Sequence, residues 1–530
     1  MNDTSSSSAS ASQDMSATLV EAADNMWLVV CGILIFFMQT GFAMLEVGSV
    51  RNQYSRNILF KNTLDVCVGA VAWYAVGFAF AYGDDPENKF IGNKYFFLSE
   101  YEESNFSFGF WFFQFAFAAT AATIISGAVA ERLRFPGYLV ITAIMTGFIY
   151  PVVAHWIWSE AGWLNASRPG GNGIWDTGVA DFAGSAVVHT VGGTAAVICS
   201  WTVGYRGQYT PNKPRFEKVN GRWNVNALPI YNETLVILGV FMLWFGWYGF
   251  NCGSTLAIVG KVEVVGRVAI NTTISPAVCS LTTIILGRVL LLRLPAEEQH
   301  FSLSDGANGI LAGLVAITAG CAFVDPWGAF IIGFLASFVY KGCSELLLKL
   351  RIDDPVDAFP VHAGCGIWGT IASALFAMED NVEDALFADK DLDEDAQYGL
   401  FIGGSYRRIV VHLTALVVIV AWTAFWVSIL CLVLYWGDRF LSKRRGSSWF
   451  IEKGEAAESL GFGSAASFFN PSMAKVGDEM GEMTVVPAAT GGTDFRGGKN
   501  ASPKQRAAEE SNSEDGSSSS DYDDEFDGGV

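Results

Sequence analysis

Long uncharged apolar segments are the feature that most constrains this 530-residue chain. Residues 413–436 read LTALVVIVAWTAFWVSILCLVLYW, and a helix of about 20 apolar residues is long enough to cross a bilayer. Only 16% of the residues are charged, whereas soluble domains carry about 25%. The chain is therefore predicted to be an all-α polytopic membrane protein.

Eleven membrane-spanning helices are expected. They are predicted near residues 26–46, 62–82, 108–130, 137–158, 180–203, 230–250, 264–292, 306–324, 326–348, 355–378 and 402–436. This leaves a short polar leader at 1–25, a membrane domain at 26–440 and an acidic, Ser-rich tail at 441–530, which is expected to be mostly disordered. The leader lacks the basic start of a cleaved signal peptide. The tail contributes much of the net charge of -20, so that charge says little about partners.

The charges of the connecting loops predict the orientation of the chain. Basic loops such as ERLRF (131–135) alternate with acidic ones such as MEDNVEDALFADKDLDED (378–395). The positive-inside rule then places the N-terminus outside and the C-terminus in the cytoplasm, which requires an odd number of spans. Sequons at Asn105 and Asn165 fall in loops on the outer side, although sequons are common by chance. The nine cysteines show no CxxC or Cys/His spacing, so we expect neither a metal nor a cofactor.

Two histidines lie within the apolar part of the chain, and each follows an aspartate by eight residues. The segments are DFAGSAVVH, from Asp181 to His189, and DPVDAFPVH, from Asp354 to His362. Ionisable residues inside a membrane are costly and indicate a functional site by default, and histidine exchanges protons near neutral pH. Spans five and ten run in opposite directions, so we predict a 5+5 inverted repeat plus one peripheral helix, with both rings near the midplane.

Structural roles compete with these interpretations. A single histidine in a span is as often a packing residue as a functional one. The symmetric pairing of the two histidines is what favours a functional role. Asp181 is equally well suited to accept backbone amides as a helix N-cap, a role compatible with chemistry. Asp354 is its symmetry-related counterpart on the cytoplasmic side. His155, His300 and His412 lack the paired aspartate and are expected to be structural.

Several aromatic side chains are predicted to lie near Asp181, on the outer side of the membrane. Phe113 and Phe117 are four residues apart and share a helix face. Trp158 ends span four, and Phe250 and Ser254 end span six. Each phenylalanine alone is typical of core or lipid-facing packing, and Trp158 is equally typical of a membrane interface. Together they predict a vestibule in which ring faces attract a cation and Ser254 accepts a hydrogen bond from it.

Several segments resemble the ammonium transporter family (Amt/Mep/Rh), most closely its eukaryotic Amt branch. They are GFAMLEVGSVR, FAATAATIISGAVAERLRF, ADFAGSAVVHTVGG, FGWYGFNCGS and DDPVDAFPVHAGCGIWG, and the resemblance covers about residues 26–440. It implies a plasma-membrane homotrimer of eleven-span subunits, each with its own hydrophobic pore. The expected partners are ammonium or ammonia and the bilayer, with a proton as a further candidate and no nucleic acid.

The resemblance also implies roles for individual residues. Trp158, Phe117 and Ser254 match an external ammonium recruitment site, with Phe113 at its wall. Phe117 and Phe250 match a stacked gate, Asp181 matches the acid needed for recruitment and proton handling, and His189 and His362 match a twin-histidine pair. The implied function is recruitment of ammonium, its deprotonation, and passage of ammonia, with the proton crossing separately.

Two other functions stay open at this point. One is an electroneutral ammonia channel of the Rh type, against which the cation-recruiting character of Trp158 and Ser254 argues. The other is an ammonium sensor that acts through a partner bound to the tail. The tail departs from the family pattern, because Gly461 is its one plausible match and no histidine follows His412. No HExxH motif or similar pattern indicates an enzyme.

Overall fold

The computed structural model describes residues 3–83, 88–101, 107–166, 177–207, 214–226, 228, 230–290, 301–386, 398–445 and 484–486. The chain divides into one unit at Met1–Ala488 and a second at Ala489–Val530. The second unit, most of the predicted disordered tail, Asn105 and His300 lie outside the described residues.

Ten helices of the described chain are long and apolar enough to cross a membrane, and one further apolar helix is shorter. In chain order they are α1 Met15–Ser49, α2 Asn52–Tyr82, α3 Phe108–Ala128, α4 Phe135–Trp158, α5 Ser185–Val203, α6 Glu233–Gly253, α7 Val262–Val289, α8 Leu303–Thr318, α9 Pro326–Leu350, α10 Phe359–Phe376 and α11 Tyr406–Phe440. This arrangement agrees with a polytopic membrane protein, and the count of eleven spans stays a prediction.

The short helix is α8, which coincides with the predicted span 306–324. It has 16 residues, so its length of roughly 24 Å falls short of the hydrocarbon core. The segment that follows is irregular, and its backbone is satisfied from another helix: the Asn271 amide donates to the carbonyls of Cys321 and Val324 at 2.9 and 2.7 Å. Buried non-helical backbone is tolerated in a membrane protein where protein groups satisfy it in this way.

The helix starts follow local sequence signals. The side chains of Ser107, Asn232 and Ser302 each accept a backbone amide, at 3.1 Å, and so cap α3, α6 and α8. Proline occupies the first turn of α4 and α9, where its missing N–H leaves no helical bond unmade.

Both ends of the membrane domain are more helical than the predicted boundaries indicate. Helical backbone begins at Asp3 and runs without a break into α1, because residues 3–25 contain neither glycine nor proline. At the other end, the helix of α11 continues to Arg445, beyond the boundary predicted at residue 440.

A small sheet follows α5. Strand β1, Phe216–Val219, pairs antiparallel with β2, Arg222–Asn226, and β3, Thr484–Val486, pairs parallel with β2. The Asn220-Gly221 pair that joins β1 to β2 has positive φ angles of 51° and 82°, as a tight hairpin turn requires. This sheet was not predicted from the sequence, although the Asn-Gly dipeptide is a known hairpin signal.

The helices form one packed bundle, and the 5+5 inverted repeat stays a prediction. α1 packs along α6, and α3 packs against both α1 and α5. α8 packs against α7, α9 and α10, while α11 contacts α5 and α10. α5 and α10 begin with equivalent π-helical turns, at Ser185–Thr190 and Phe359–Gly364. The two helices that contain the histidine pair therefore meet at the centre of the bundle.

Candidate functional site

The structure brings His189 and His362 into contact. Their Nδ1 atoms are 3.2 Å apart, and their rings lie 5.2 Å apart between centroids with 18° between planes. Both are buried, with 0% and 5% of their surfaces exposed. The helices begin later than predicted, so His189 is the fifth residue of α5 and His362 the fourth of α10, rather than about the eighth and seventh. The residues just before each helix, which include Asp181 and Asp354, cap the helix start and are not part of it.

Asp181 and Asp354 cap the two π-helical turns in the same way. Asp181 Oδ2 accepts the amide of Ala186 at 2.8 Å, and Asp354 Oδ2 accepts that of Phe359 at 2.8 Å, in each case five residues ahead. Asp181 Oδ1 also accepts the Gly184 amide at 3.1 Å, whereas Asp354 Oδ1 has no partner among the described residues. π-Helical turns of this kind occur frequently at functional sites.

Burial raises the pKa of both capping aspartates. That of Asp181 rises to about 6, although the backbone amides that its carboxylate accepts hold it lower than burial alone would. That of Asp354 also rises to about 6, first because of burial and then because Asp357 is a nearby like charge. Each carboxyl group therefore exchanges its proton nearer to neutral pH than an exposed aspartate.

A glycine four residues beyond each histidine allows the two helices to approach. A side chain at Gly193 would collide with the backbone of Ala363, and one at Gly366 would collide with the carbonyl of Ser185. Small residues permit this close packing of helices within a membrane. The repeated spacing of glycine after histidine therefore explains how α5 and α10 come near enough for the two imidazoles to touch.

A cavity of about 240 Å³ lies at the Asp181 end, and we call it the vestibule. The predicted residues that line it are Phe113, Phe117, Trp158, Asp181 and Ser254. Phe117 meets Trp158 edge to face, with centroids 5.6 Å apart. Phe117 also stacks on Phe250, with centroids 4.1 Å apart and 27° between planes. Since the rings of Phe117 and Phe250 are both buried, their stack closes the inner end of the vestibule.

Hydrogen bonds fix two of the vestibule residues. Trp158 Nε1 donates to the carbonyl oxygen of Asp181 at 2.8 Å, and Ser254 Oγ donates to the carbonyl of Phe250 at 2.9 Å. The Ser254 hydroxyl has thereby used its proton, so its lone pairs remain available to accept a hydrogen bond from a molecule in the vestibule.

Aromatic rings continue from the stack to the histidine pair. Phe250 lies 5.6 Å from His189, and Trp247 stacks on His189 at 5.1 Å with 14° between planes. Trp247 Nε1 donates to Thr318 at 2.9 Å, which holds the indole in place. Trp247 was not predicted as a site residue. It lies three residues before Phe250, on the same helix face, and this spacing was the available signal.

The Nε2 atom of His189 is buried without a hydrogen-bond partner among the described residues. A buried polar atom left unpaired is costly, and this one belongs to a ring that packs against Trp247 and Phe250. The atom is therefore suited to hydrogen-bond a small polar molecule that passes the pair.

The other described histidines bond to backbone groups away from this pair. His155 Nδ1 lies 3.0 Å from the carbonyl oxygen of Ala81. His412 Nδ1 lies 2.8 Å from the carbonyl oxygen of Thr370, and its Nε2 accepts the amide of Ala180 at 3.0 Å.

A buried ion cluster at the Asp354 end was also missed. Arg206 binds both carboxylate oxygens of Asp353, at 2.8 and 2.9 Å, and the Arg132 guanidinium donates to the Asp353 carbonyl at 2.8 Å. Burial would raise the pKa of Asp353, but the guanidinium groups of Arg206 and Arg132 outweigh it and hold that pKa well below its usual range. Acid and arginine residues in otherwise apolar surroundings were the available signal.

A sequence model of the "Ammonium Transporter Family" matches residues 26–437. "Ammonium transporter 1 member 2" of Oryza sativa subsp. japonica is 43% identical over 400 residues, which cover 74% of this chain and 76% of that protein. The Arabidopsis thaliana protein of the same name is 42% identical over 393 residues, covering 71% and 72%.

Solved structures share the fold. A structure named "Sensor Amt Protein" has a TM-score of 0.66 and 30% identity, and the match covers 79% of this chain and 94% of that one. Mep2 of Candida albicans has a TM-score of 0.64 and 25% identity, covering 78% and 84%. The sequence match and the shared fold indicate the same family as the histidine pair and its aromatic surroundings. The chain belongs to the ammonium transporter family.

Proposed function

We propose that this ammonium transporter collects the ammonium ion in the vestibule and passes neutral ammonia along the twin histidines while the proton crosses separately. One observation carries the proposal: two buried imidazoles in direct contact, behind a stacked aromatic pair, with His189 Nε2 unpaired among the described residues. This arrangement offers hydrogen bonds to a small neutral molecule, whereas a potassium ion requires a shell of oxygen ligands to replace its water.

The vestibule supports recruitment of a cation. The faces of Trp158 and Phe117 attract positive charge, the Ser254 oxygen accepts an N–H, and the ionised Asp181 lies at the same cavity. These groups stabilise ammonium more than ammonia, because most of their attraction requires the charge.

The aromatic stack supports deprotonation before passage. The rings of Phe117 and Phe250 are 4.1 Å apart, so they must move for anything to pass. Beyond them the walls are largely apolar, and an ion without hydration or ligands is strongly disfavoured there. Ammonium avoids this cost by giving a proton to a base at the vestibule, for which the Asp181 carboxylate is our candidate, and crossing as ammonia. Potassium has no equivalent step.

The direct Nδ1 to Nδ1 contact gives the histidines complementary roles. One ring donates its Nδ1 proton and keeps an accepting Nε2, while its partner accepts at Nδ1 and carries its proton on Nε2. The pair therefore presents one acceptor and one donor to passing ammonia. When the accepting Nε2 takes up a proton, the shared Nδ1 proton can pass to the partner ring, which then releases its own Nε2 proton. The two roles are thereby reversed and one proton has been relayed across the pair.

Replacement of both histidines tests this proposal. The double variant His189→Leu with His362→Leu should abolish selective ammonium uptake in cells that lack their own transporters. His155→Gln is a matched control, since His155 is buried but bonds to backbone outside the pair, and it should retain uptake. Ammonium currents unchanged in the double variant, without potassium leak, would rule the mechanism out.

We further propose that the protein is a plasma-membrane homotrimer with its N-terminus outside and its C-terminus in the cytoplasm. The alternating loop charges support this orientation, and the family resemblance supports the trimer and the membrane. Native mass spectrometry of the full chain should give three copies, and tags at the two termini should be accessible from opposite faces of the cell.

Sensing is a second candidate, because one structural neighbour is named a sensor. In that case ammonium should promote binding of a signalling protein to the tail, and that binding should persist in a variant that does not transport.

A further inference from the structure

A second, smaller cavity lies beyond the histidine pair, on the side away from the vestibule. We call it the Glu46 cavity, and its lining includes Glu46, Thr123, Leu311, Val356 and His362. Its volume of about 10 Å³ is close to the space that one water molecule requires. Glu46 is the one carboxyl group in this lining, and His362 is the one imidazole. The cavity therefore joins the pair to a single acidic side chain.

The Glu46 carboxyl group lies in a setting that is unusual for an acid. Glu46 lies on α1 and is 2% exposed. Asn62 Nδ2 donates to Oε2 at 3.0 Å, Ser126 Oγ donates to Oε1, and no ion pair to Glu46 occurs among the described residues. A buried acid in a membrane helix without a paired cation indicates a functional group by default.

Two charged side chains of α2 act on Glu46, and both are engaged elsewhere. The Lys61 ammonium donates to the carbonyl oxygen of Leu133. Asp65 accepts a hydrogen bond from Thr123 at 2.6 Å and another from Thr142. Asp65 is as buried as Glu46 but does not line the cavity, so the chain offers a second buried acid for comparison.

We propose that Glu46 carries the proton between the twin histidines and the solvent at the Asp354 end, an inference that rests on the proposed function. An N–H bond of the protonated histidine pair breaks, and the proton passes through water in the cavity to form an O–H bond on the Glu46 carboxylate. The carboxylic acid then releases the proton to water at the Asp354 end and becomes a carboxylate again. Ammonia that has crossed takes up a proton there, so one ammonium ion has moved in total.

A purely structural role is the alternative, because Glu46 ties α1 to α2 and α3 through Asn62 and Ser126. Glu46→Gln separates the two roles. Glutamine keeps the shape of the side chain and an oxygen that accepts from Ser126. Asn62 Oδ1 is buried and unpaired among the described residues, so rotation of the Asn62 amide would let it accept the new N–H. The variant thus keeps the contacts of residue 46 with Ser126 and Asn62, although the rotated Asn62 amide no longer donates to the carbonyl of Ile58. It removes the carboxylate that can take up a proton.

The test uses the full chain in liposomes and measures two quantities for the native protein, E46Q and D65N. One is the current on addition of ammonium, and the other is neutral ammonia flux from the internal pH. E46Q should lower the current by at least about tenfold, a lower bound since loss of a proton-transfer group typically costs about 10²–10⁴-fold, with ammonia flux within about twofold of native. D65N should leave the ratio of current to flux unchanged.

Each outcome decides the inference. An E46Q current equal to native, or an equal loss of current and flux, overturns it, the second result because it assigns Glu46 a structural role. The same loss of current in D65N, with ammonia flux retained, also overturns the inference. It would show that removing any buried acid lowers the current, whether or not the acid lines the cavity. Absence of current in the native protein contradicts the proposed function itself and is thereby distinguishable.

Discussion

The Asp181 and Asp354 ends of the molecule share a capping arrangement but differ in their surroundings. Each aspartate accepts the amide five residues ahead at 2.8 Å. The cavities at the two ends differ. The Asp181 end has an aromatic vestibule of about 240 Å³, whereas the cavity between the histidines and the Asp354 end is about 10 Å³ and is lined by Glu46. The shared capping arrangement therefore serves two ends with different side chains, and our proposals assign cation collection to the Asp181 end and proton transfer to the other.

The largest effect is expected from the ion cluster that holds the Asp354 end together. Asp353→Ala leaves the Arg206 guanidinium buried without its carboxylate, which should cost about 3–5 kcal/mol of stability. Asp384→Ala is the control, since its carboxylate is 54% exposed and 3.5 Å from Arg267, and it should cost about 0–1 kcal/mol. Denaturant unfolding of the purified protein measures the free energy of unfolding of both variants. Equal losses would show that the buried ion cluster stabilises the protein no more than an exposed ion pair does.

The next effect compares the two capping aspartates directly. Asparagine caps helices about as well as aspartate, so Asp181→Asn and Asp354→Asn should both fold. We expect Asp181→Asn to lower ammonium current at least about tenfold and Asp354→Asn by less than about threefold, because the first charge lies in the cation vestibule. Currents reduced equally would break the proposed distinction between the ends.

The vestibule rings should affect affinity rather than passage. Trp158→Leu removes the ring face next to Phe117 and should raise the KM for ammonium about two- to tenfold, with neutral ammonia flux maintained. Trp163→Leu serves as the control because Trp163 does not line the vestibule. A KM that does not change in Trp158→Leu would remove the cation-recruiting role of the indole.

The smallest effect concerns pH at the vestibule. With the Asp181 pKa at about 6, lowering the pH from 7 to 6 at that face should neutralise about half of its carboxylates and reduce current about twofold. This pKa lies above the ordinary 3.8, so protonation of Asp181 favours the folded chain and the loss does not reflect unfolding. Initial currents at fixed ammonium concentration measure the effect, and a current independent of pH between 7 and 5 would contradict it.

Sequence reasoning predicted the helical membrane class because long apolar runs leave few other folds. It also singled out His189 and His362, since buried ionisable residues at repeated spacing are rare. It missed Glu46, although an acid ending an apolar run was visible, because its cavity forms only when α1 meets α3, α8 and α10. Helix starts were misplaced near both histidines, since an Asp-capped π-helical turn is not evident from hydrophobicity.

The central claim is that charge enters as ammonium and that ammonia and the proton then take separate routes past the histidine pair. The most direct measurement is simultaneous recording of current and ammonium uptake by the native chain in potassium-containing medium. The account predicts one charge for each ammonium ion taken up, with no current carried by potassium. Ammonium uptake without charge, or a potassium current through the same protein, would contradict it.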